Sequence, residues 1–383
     1  MAPASTPDFD FPWAIGLSDC EAIIEAAGKI DRSESPIVRV SSKYKSTIFG
    51  DLWVTMALGT IFRAAPKSRA IVWGLSDNHK FDAARFSTGL PGLASAFMTA
   101  KLLRDQSHAE LDVSDVRQWI EQDQNGYVSV IRGTDRTIIE LDSTRASCLK
   151  DLAAPGAEID AKAFLTLFLQ IRRELEVWAI GGDERKDANK SAMRDISEFL
   201  KELFENAYKH GRLGESLLQR MIPQLRFLRV RKIVEPNRQR LLDRTANTIP
   251  LIREYVEAVM EGKKENALIE VCVSDFGQGI LDYFLGSPTG RRISKGSRQS
   301  ILERLLYENL TSESHDPQAG LGLSNALNAS RRLRAFVSLR TAEFWYARSF
   351  ANQPTDHYLN RVDDGPRGKV VGTHWQFLWA PPD

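Results

Sequence analysis

Residues 197–211, Ser-Glu-Phe-Leu-Lys-Glu-Leu-Phe-Glu-Asn-Ala-Tyr-Lys-His-Gly, constrain this chain more than any other stretch. No proline or glycine interrupts them before Gly211, which stands where a helix stop is expected. Phe199, Leu200, Leu203, Phe204 and Ala207 recur at three- and four-residue spacing, so the segment reads as a helix with one face packed inward. Glu202, Asn206 and Lys209 fall at i, i+4 and i+7, which lines a carboxylate, an amide and an ammonium along a neighbouring stripe. That stripe suits a site holding a metal-bound polyphosphate and activating a nucleophile. A solvated face that happens to carry Glu and Lys is the alternative, and for this helix alone the better one.

At 383 residues the chain has room for two domains with a sizeable core in each. A net charge of +1, with 26% charged residues, advertises neither nucleic acid nor an acidic membrane as partner. Cys20, Cys148 and Cys272 lie far apart with no CxxC pair, which argues against a disulfide framework or zinc site and suits a reducing compartment. The N-terminus lacks the basic start and apolar run of a signal peptide, and the apolar run 52–62 is too short to span a bilayer. A soluble, cytoplasmic protein without membrane contact is expected.

Residues 1–12 read as a loose tail. Ser18 is placed to cap a helix through about Lys29, with Glu21 completing a capping box. Strands are predicted over 36–41 and 69–75, a buried helix over 51–64 and a further helix over 93–104. This alternation predicts an α/β domain over 1–104 with a partly parallel sheet. Its element order resembles the STAS-like regulatory domains that bind partner proteins in bacterial signalling. An acidic helix (105–125), a hairpin around Thr134-Asp135 (127–133 and 136–141) and an apolar helix (161–179) form a connector over 105–185. The polar break at 181–190 marks the main boundary, and a second domain occupies 186–383. Residues 213–262 read as helical pieces broken at Pro223, Pro236 and Pro250. Their arginines (Arg226, Arg229, Arg231, Arg238, Arg240) are read as a solvated or interdomain face, because no aromatics interleave with them as nucleic-acid binding would require.

Residues 268–274 alternate as a strand and run into Asp275-Phe-Gly-Gln-Gly-Ile280. An acid at a strand end before Gly277 and Gly279 makes a tight turn that a flat ligand can approach, and Asp275 can accept a hydrogen bond from an exocyclic amine such as adenine's. An ordinary Asx turn is the alternative. Gly320-Leu321-Gly322-Leu-Ser324 opens a helix and can cradle phosphate on its N–H groups. No strand precedes it and the third glycine is missing, so it is no Rossmann fingerprint, and no Walker A pattern exists in the chain. Residues 336–347 and 369–379 are strand-like, with Gly372-Thr373 near the start of the second. Thr373 can reach the same pocket through a water.

Glu202-Leu-Phe-Glu-Asn206-Ala-Tyr-Lys209-His resembles the N box of the GHKL superfamily of ATPases and kinases, which includes gyrase B, heat-shock chaperones, sensor histidine kinases and anti-sigma kinases. Asp275-Phe-Gly-Gln-Gly-Ile280 resembles its G1 box, Gly320-Leu321-Gly322-Leu its G2 box, and Gly372-Thr373 with Phe377 its closing motif. The resemblance covers about 186–383. It implies an α+β chain whose C-terminal part is a Bergerat-type two-layer sandwich, a mixed sheet covered by helices, behind the N-terminal α/β domain. It also implies ATP and Mg²⁺ as ligands. Asn206 would coordinate Mg²⁺, Lys209 meet phosphate, and Glu202 act as general base. Asp275, Gly277, Gly279, Ile280 and Thr373 would line the adenine pocket, and Gly320, Leu321 and Gly322 would anchor a lid over 281–319. Arg291, Arg292, Lys295 and Arg298 in that lid would close on phosphates or remain solvated.

His108 is the only upstream histidine placed as a phosphoacceptor, but no Arg-Thr-Pro follows it, so it reads as an exposed histidine. The chain ends at Asp383 directly after the last strand, so gyrase-like and mismatch-repair-like activities are not expected. Expected instead is an ATP hydrolase serving as a regulatory or defence module of a bacterial multi-protein assembly. The alternatives are a protein kinase of anti-sigma or stand-alone histidine-kinase type, and an ATP-binding scaffold with negligible turnover. Partner proteins are expected on the N-terminal domain, with a homodimer as one assembly.

Overall fold

The computed structural model describes residues 8–12, 14–41, 47–73, 90–98, 101–104, 107, 110–111, 129–132, 135–141, 183–210, 225–293, 296–308, 310, 321–352, 354–362 and 367–381. The expected acidic helix over 105–125 and His108, the helix over 161–179, Cys148 and Lys295 lie outside the described residues, apart from isolated positions of the first.

The chain is α+β, with one parallel and one antiparallel sheet. Strands β1 (Phe9–Phe11), β2 (Ile37–Ser41), β3 (Arg69–Trp73) and β4 (Lys101–Arg104) pair in that order, each parallel to the next. The presumed tail thus supplies a strand. Phe9 and Phe11 are buried, while Asp8 and Asp10 hold Arg39 of the neighbouring strand at 3.0 and 3.1 Å. Helix α1 (Leu17–Ala27) is capped at Gly16 rather than Ser18, with the Gly16 N–H donating to Asp19 Oδ2 at 3.0 Å. Glu21, released from the expected capping box, instead takes two 3.1 Å bonds from Arg340. Helix α2 (Gly50–Ala64) is buried on every side from Leu52 to Phe62, as a helix apolar all round must be. Helix α3 (Leu90–Met98) stops short of the expected end, and 101–104 becomes β4.

The second sheet has the order β11-β10-β9-β12-β8-β7-β6-β5, and every pair in it is antiparallel, where a mixed sheet was expected. Its strands are β5 (Ser129–Arg132), β6 (Asp135–Leu141), β7 (Leu225–Val234), β8 (Ala267–Asp275), β9 (Phe336–Ala342), β10 (Phe344–Ser349), β11 (Asn360–Arg361) and β12 (Val370–Trp379). The hairpin β5–β6 forms as expected, but β6 pairs with β7, so it extends this sheet rather than serving as a connector. Helix α4 (Asp183–His210) runs straight through the presumed break, since nothing after Gly182 opposes a helix and Asp183 and Glu184 favour its N-terminal turn. Strand β7 also corrects a helical expectation. Arg226, Arg229 and Arg231 are buried rather than solvated, and Arg229 reaches Asp51 of the N-terminal layer at 3.1 Å while Arg231 reaches Glu270 at 2.7 Å, so part of the set faces that layer as the interdomain alternative expected; Arg238 and Arg240 are exposed.

Two cores flank this sheet. On one face α4, α7 (Ile280–Gly286), α9 (Arg298–Tyr307) and α10 (Leu321–Arg332) pack on Val271, Val273, Trp375 and Phe377. On the other, α1, α2, α3, α5 (Arg238–Asp243) and α6 (Pro250–Val259) pack on Leu268, Cys272, Phe276 and Leu378. The short α8 (Pro288–Ile293) links α7 to α9. Much of the expected lid is therefore packed helix, with Leu281, Phe284, Ile301 and Leu305 in the core. Arg298 in that stretch is bound to Glu343 at 2.5 Å and Asp282 at 2.6 Å, which commits it to the fold rather than to a passing phosphate. Among the described residues no helix is long and apolar enough to cross a membrane.

Candidate functional site

Strand periodicity builds the site. Successive residues of β8 face opposite ways, so Ile269, Val271, Val273 and Asp275 lie on the face covered by α4, whereas Phe276 turns to the α2 face. Asp275 ends the strand and turns the chain, accepting the Gly277 N–H on Oδ1 at 2.9 Å. Gly279 follows at φ +81°, and a Cβ there would stand 2.8 Å from the Gly372 carbonyl oxygen. Gly372 itself sits at φ +87°, where a Cβ would meet the Asp275 carbonyl oxygen at 1.9 Å. Two glycines thus let the turn after β8 and the bulge of β12 touch backbone to backbone. Thr373, opposite Asp275 in register, accepts the Ile280 N–H at 2.9 Å and bonds the Asp275 carboxylate with its hydroxyl.

These contacts frame a narrow cleft whose enclosed part has room for about one water, about 20 Å³, so a larger ligand would enter by its mouth. Leu203, Ala207, Val273, Ile280 and Trp375 form apolar walls, and Asn206, Asp275 and Thr373 supply the polar groups. The arrangement suits a flat heteroaromatic ring with a donor directed at the acid. A carboxylate has about four acceptor positions, so bonds from Gly277 and Thr373 leave capacity for a ligand amine. Burial pushes the Asp275 carboxyl up to about 6, against the opposing pull of the Gly277 N–H, the Arg226 charge and Thr373. Arg226 lies across from Asp275 on β7.

Asn206 donates Nδ2 to the Glu202 carbonyl at 2.8 Å, which leaves Oδ1 as the atom suited to a cation. Glu202 sits one turn earlier on α4, against α10. A Cβ on Gly322 would lie 2.2 Å from Glu202 Oε2, so this glycine admits the carboxylate between the two helices. Leu321 is exposed at the start of α10. Lys209 lies on the last turn of α4; its side chain and Gly320 fall outside the described residues. Asn206, Asp275, Gly279, Ile280 and Thr373 therefore meet at one cleft, with Gly277 buried in its turn and Glu202 with Gly322 beside it. Sequence reasoning missed Arg226 and the walls Val273 and Trp375. Period-2 alternation from Asp275 back along β8 would have found Val273. Among the described residues no group of three or more His, Cys, Asp or Glu is placed to hold a metal.

No protein-family model matches the chain, and no curated protein or solved structure matches it closely enough to count as a relative.

Proposed function

We propose that the chain binds ATP with Mg²⁺ in this cleft through a GHKL-type site and hydrolyses it, as a regulatory or defence module of a bacterial assembly. The observation that carries the reading is the convergence of three remote segments on one buried acid: the Asn206 turn of α4, the 275–280 turn, and Thr373, which lies 93 residues beyond its partner Ile280. In this reading Asp275 accepts the exocyclic amine and the apolar walls stack on the base. Asn206 Oδ1 is the protein ligand to Mg²⁺, an ion that keeps most of its shell as water and phosphate oxygen and would offset phosphate charge. Lys209, Gly320 and the first residues of α10, Leu321 and Gly322, are assigned to the phosphates. Glu202 takes the proton of the attacking water. The N-terminal α/β layer, STAS-like in element order, is the partner-docking module.

Incubating the pure protein with γ-labelled ATP tests the assignment. Free labelled phosphate that disappears with EDTA is the expected result. Label transferred to an added partner protein would replace hydrolysis by a kinase activity, and tight binding with neither product would leave a scaffold.

A pH series gives an independent check. Ionised Asp275 accepts the amine more strongly than its protonated form, and burial raises its carboxyl to about 6, above the usual carboxylate range. Affinity should be level above pH 7 and fall as pH drops through 6, by about tenfold at pH 5. A flat calorimetric affinity from pH 7.5 to 5 would remove Asp275 from the amine.

A further inference from the structure

The turn that carries Asp275 is gripped from behind by the N-terminal layer. Phe276, 1% exposed, points away from the cleft and lies over Gly59 of α2. A Cβ on Gly59 would stand 2.1 Å from Phe276 Cε1 and 2.3 Å from Cδ1, so no side chain fits at 59 while the ring keeps its place. The ring has little room to yield. His374 meets it edge-on at 5.0 Å and Phe227 packs at 6.3 Å. Burial holds His374 well below its usual range, against the opposing pull of the Val371 carbonyl, to which its Nε2–H donates at 2.8 Å.

Two further contacts come from the same stretch of α2. Thr60 Oγ1 accepts the Val371 N–H at 3.3 Å, beside the Gly372 bulge that abuts Asp275. Arg63, one turn beyond Gly59 and so on the same face, lies close enough for its charge to act on Asp275. Helix α2 therefore touches the turn, the bulge and the field of the acid. Its burial on all sides leaves it no freedom to drift.

We propose that Gly59 is a positioning residue of the nucleotide site, its absent side chain seating Phe276 and so fixing the Asp275–Gly277 turn. The inference rests on the nucleotide reading above. It makes the N-terminal layer part of the binding site without touching the ligand. Phe276 directly follows Asp275, the last residue of β8, so a shift of the ring away from α2 moves the carboxylate on the other face. Loss of the hydrogen bond between a charged acceptor and a ligand donor costs about 10–100-fold in affinity.

The test uses the full chain in four forms: wild type, Gly59→Ala, Phe276→Leu and the double variant. ATP affinity with Mg²⁺ is read by calorimetry, and exchange of the Gly277 amide by hydrogen–deuterium exchange without nucleotide. Gly59→Ala should weaken ATP by about 10–100-fold and speed Gly277 exchange. Adding Phe276→Leu, which removes the clashing ring edge, should return most of both, a coupling that a merely destabilised fold would not show. Unchanged affinity in Gly59→Ala, or a loss that Phe276→Leu leaves in place, overturns the proposal. If Gly59→Ala does not fold, the double variant decides: a folded double variant that binds ATP within a few-fold of wild type supports the proposal, and one that fails to fold or loses about 10–100-fold overturns it. Wild-type protein that binds no ATP would instead remove the nucleotide reading itself, and this inference with it.

Discussion

Asp275→Asn should weaken ATP binding by about 10²-fold or more and leave the melting temperature no lower than that of the wild type. The two halves of this expectation have one cause. Asp275 is almost fully buried, and burial raises its carboxyl to about 6 from an ordinary 3.8. At neutral pH the ionised acid therefore costs the fold about 3 kcal/mol, which it recovers only by accepting a ligand donor. An asparagine keeps an Oδ1 for the Gly277 N–H, so the turn survives, and the desolvated charge is gone. The attraction of Arg226 for that charge is already contained in that cost. Toward the ligand, the amide can present its NH₂ to the exocyclic amine. A buried donor left facing a donor costs about 3 kcal/mol when the lost bond was to a charged group, or about 10²-fold. Calorimetry and thermal melting on the same preparation check both halves. Wild-type affinity in the variant would sink the assignment of the acid to adenine.

Glu202→Ala should separate binding from chemistry. The carboxylate lies one helical turn before Asn206, whose amide is bonded to the Glu202 carbonyl, so the two positions move as one turn of α4. Its Oε2 is accommodated by the absent side chain of Gly322, which fixes where on α10 the acid can sit. A general base contributes about 10²–10⁴-fold in rate, and turnover should fall by that range. ATP affinity should change little, because the carboxylate does not hold the nucleotide in the ground state. The variant should then carry ATP through gel filtration in Mg²⁺. Asn206→Ala should differ and lose Mg²⁺-dependent binding as well. Turnover in Glu202→Ala at the wild-type rate would show that this acid is no base and move the scaffold reading ahead.

Local pattern was enough where one element packs against one apolar layer. The 3.6-residue repeat of Phe199, Leu200, Leu203, Phe204 and Ala207 fixed which face of α4 is inward, and all five are buried. The unbroken apolar run of α2 predicted burial on every side, and the alternation before Asp275 predicted β8. Those readings rest on short-range periodicity, which the chain carries wherever it goes. Strand β7 was not legible, because arginines in a strand are tolerated only when counter-charges arrive from elsewhere. Asp51 comes from 178 residues away and Glu270 from 39. Part of the expected lid has a related explanation. Arg298, left open between a phosphate contact and solvent, closes on Asp282 and on Glu343, 45 residues on, and α7–α9 pack down over 281–308. The cleft has the same logic. Sequence placed an acid, an amide and a threonine on three elements with the right local turns. Antiparallel pairing of β12 with β8 set Thr373 opposite Asp275, and only docking of α2 set Gly59 behind Phe276. Neither contact has a local signature, since each depends on two surfaces meeting after both elements have formed.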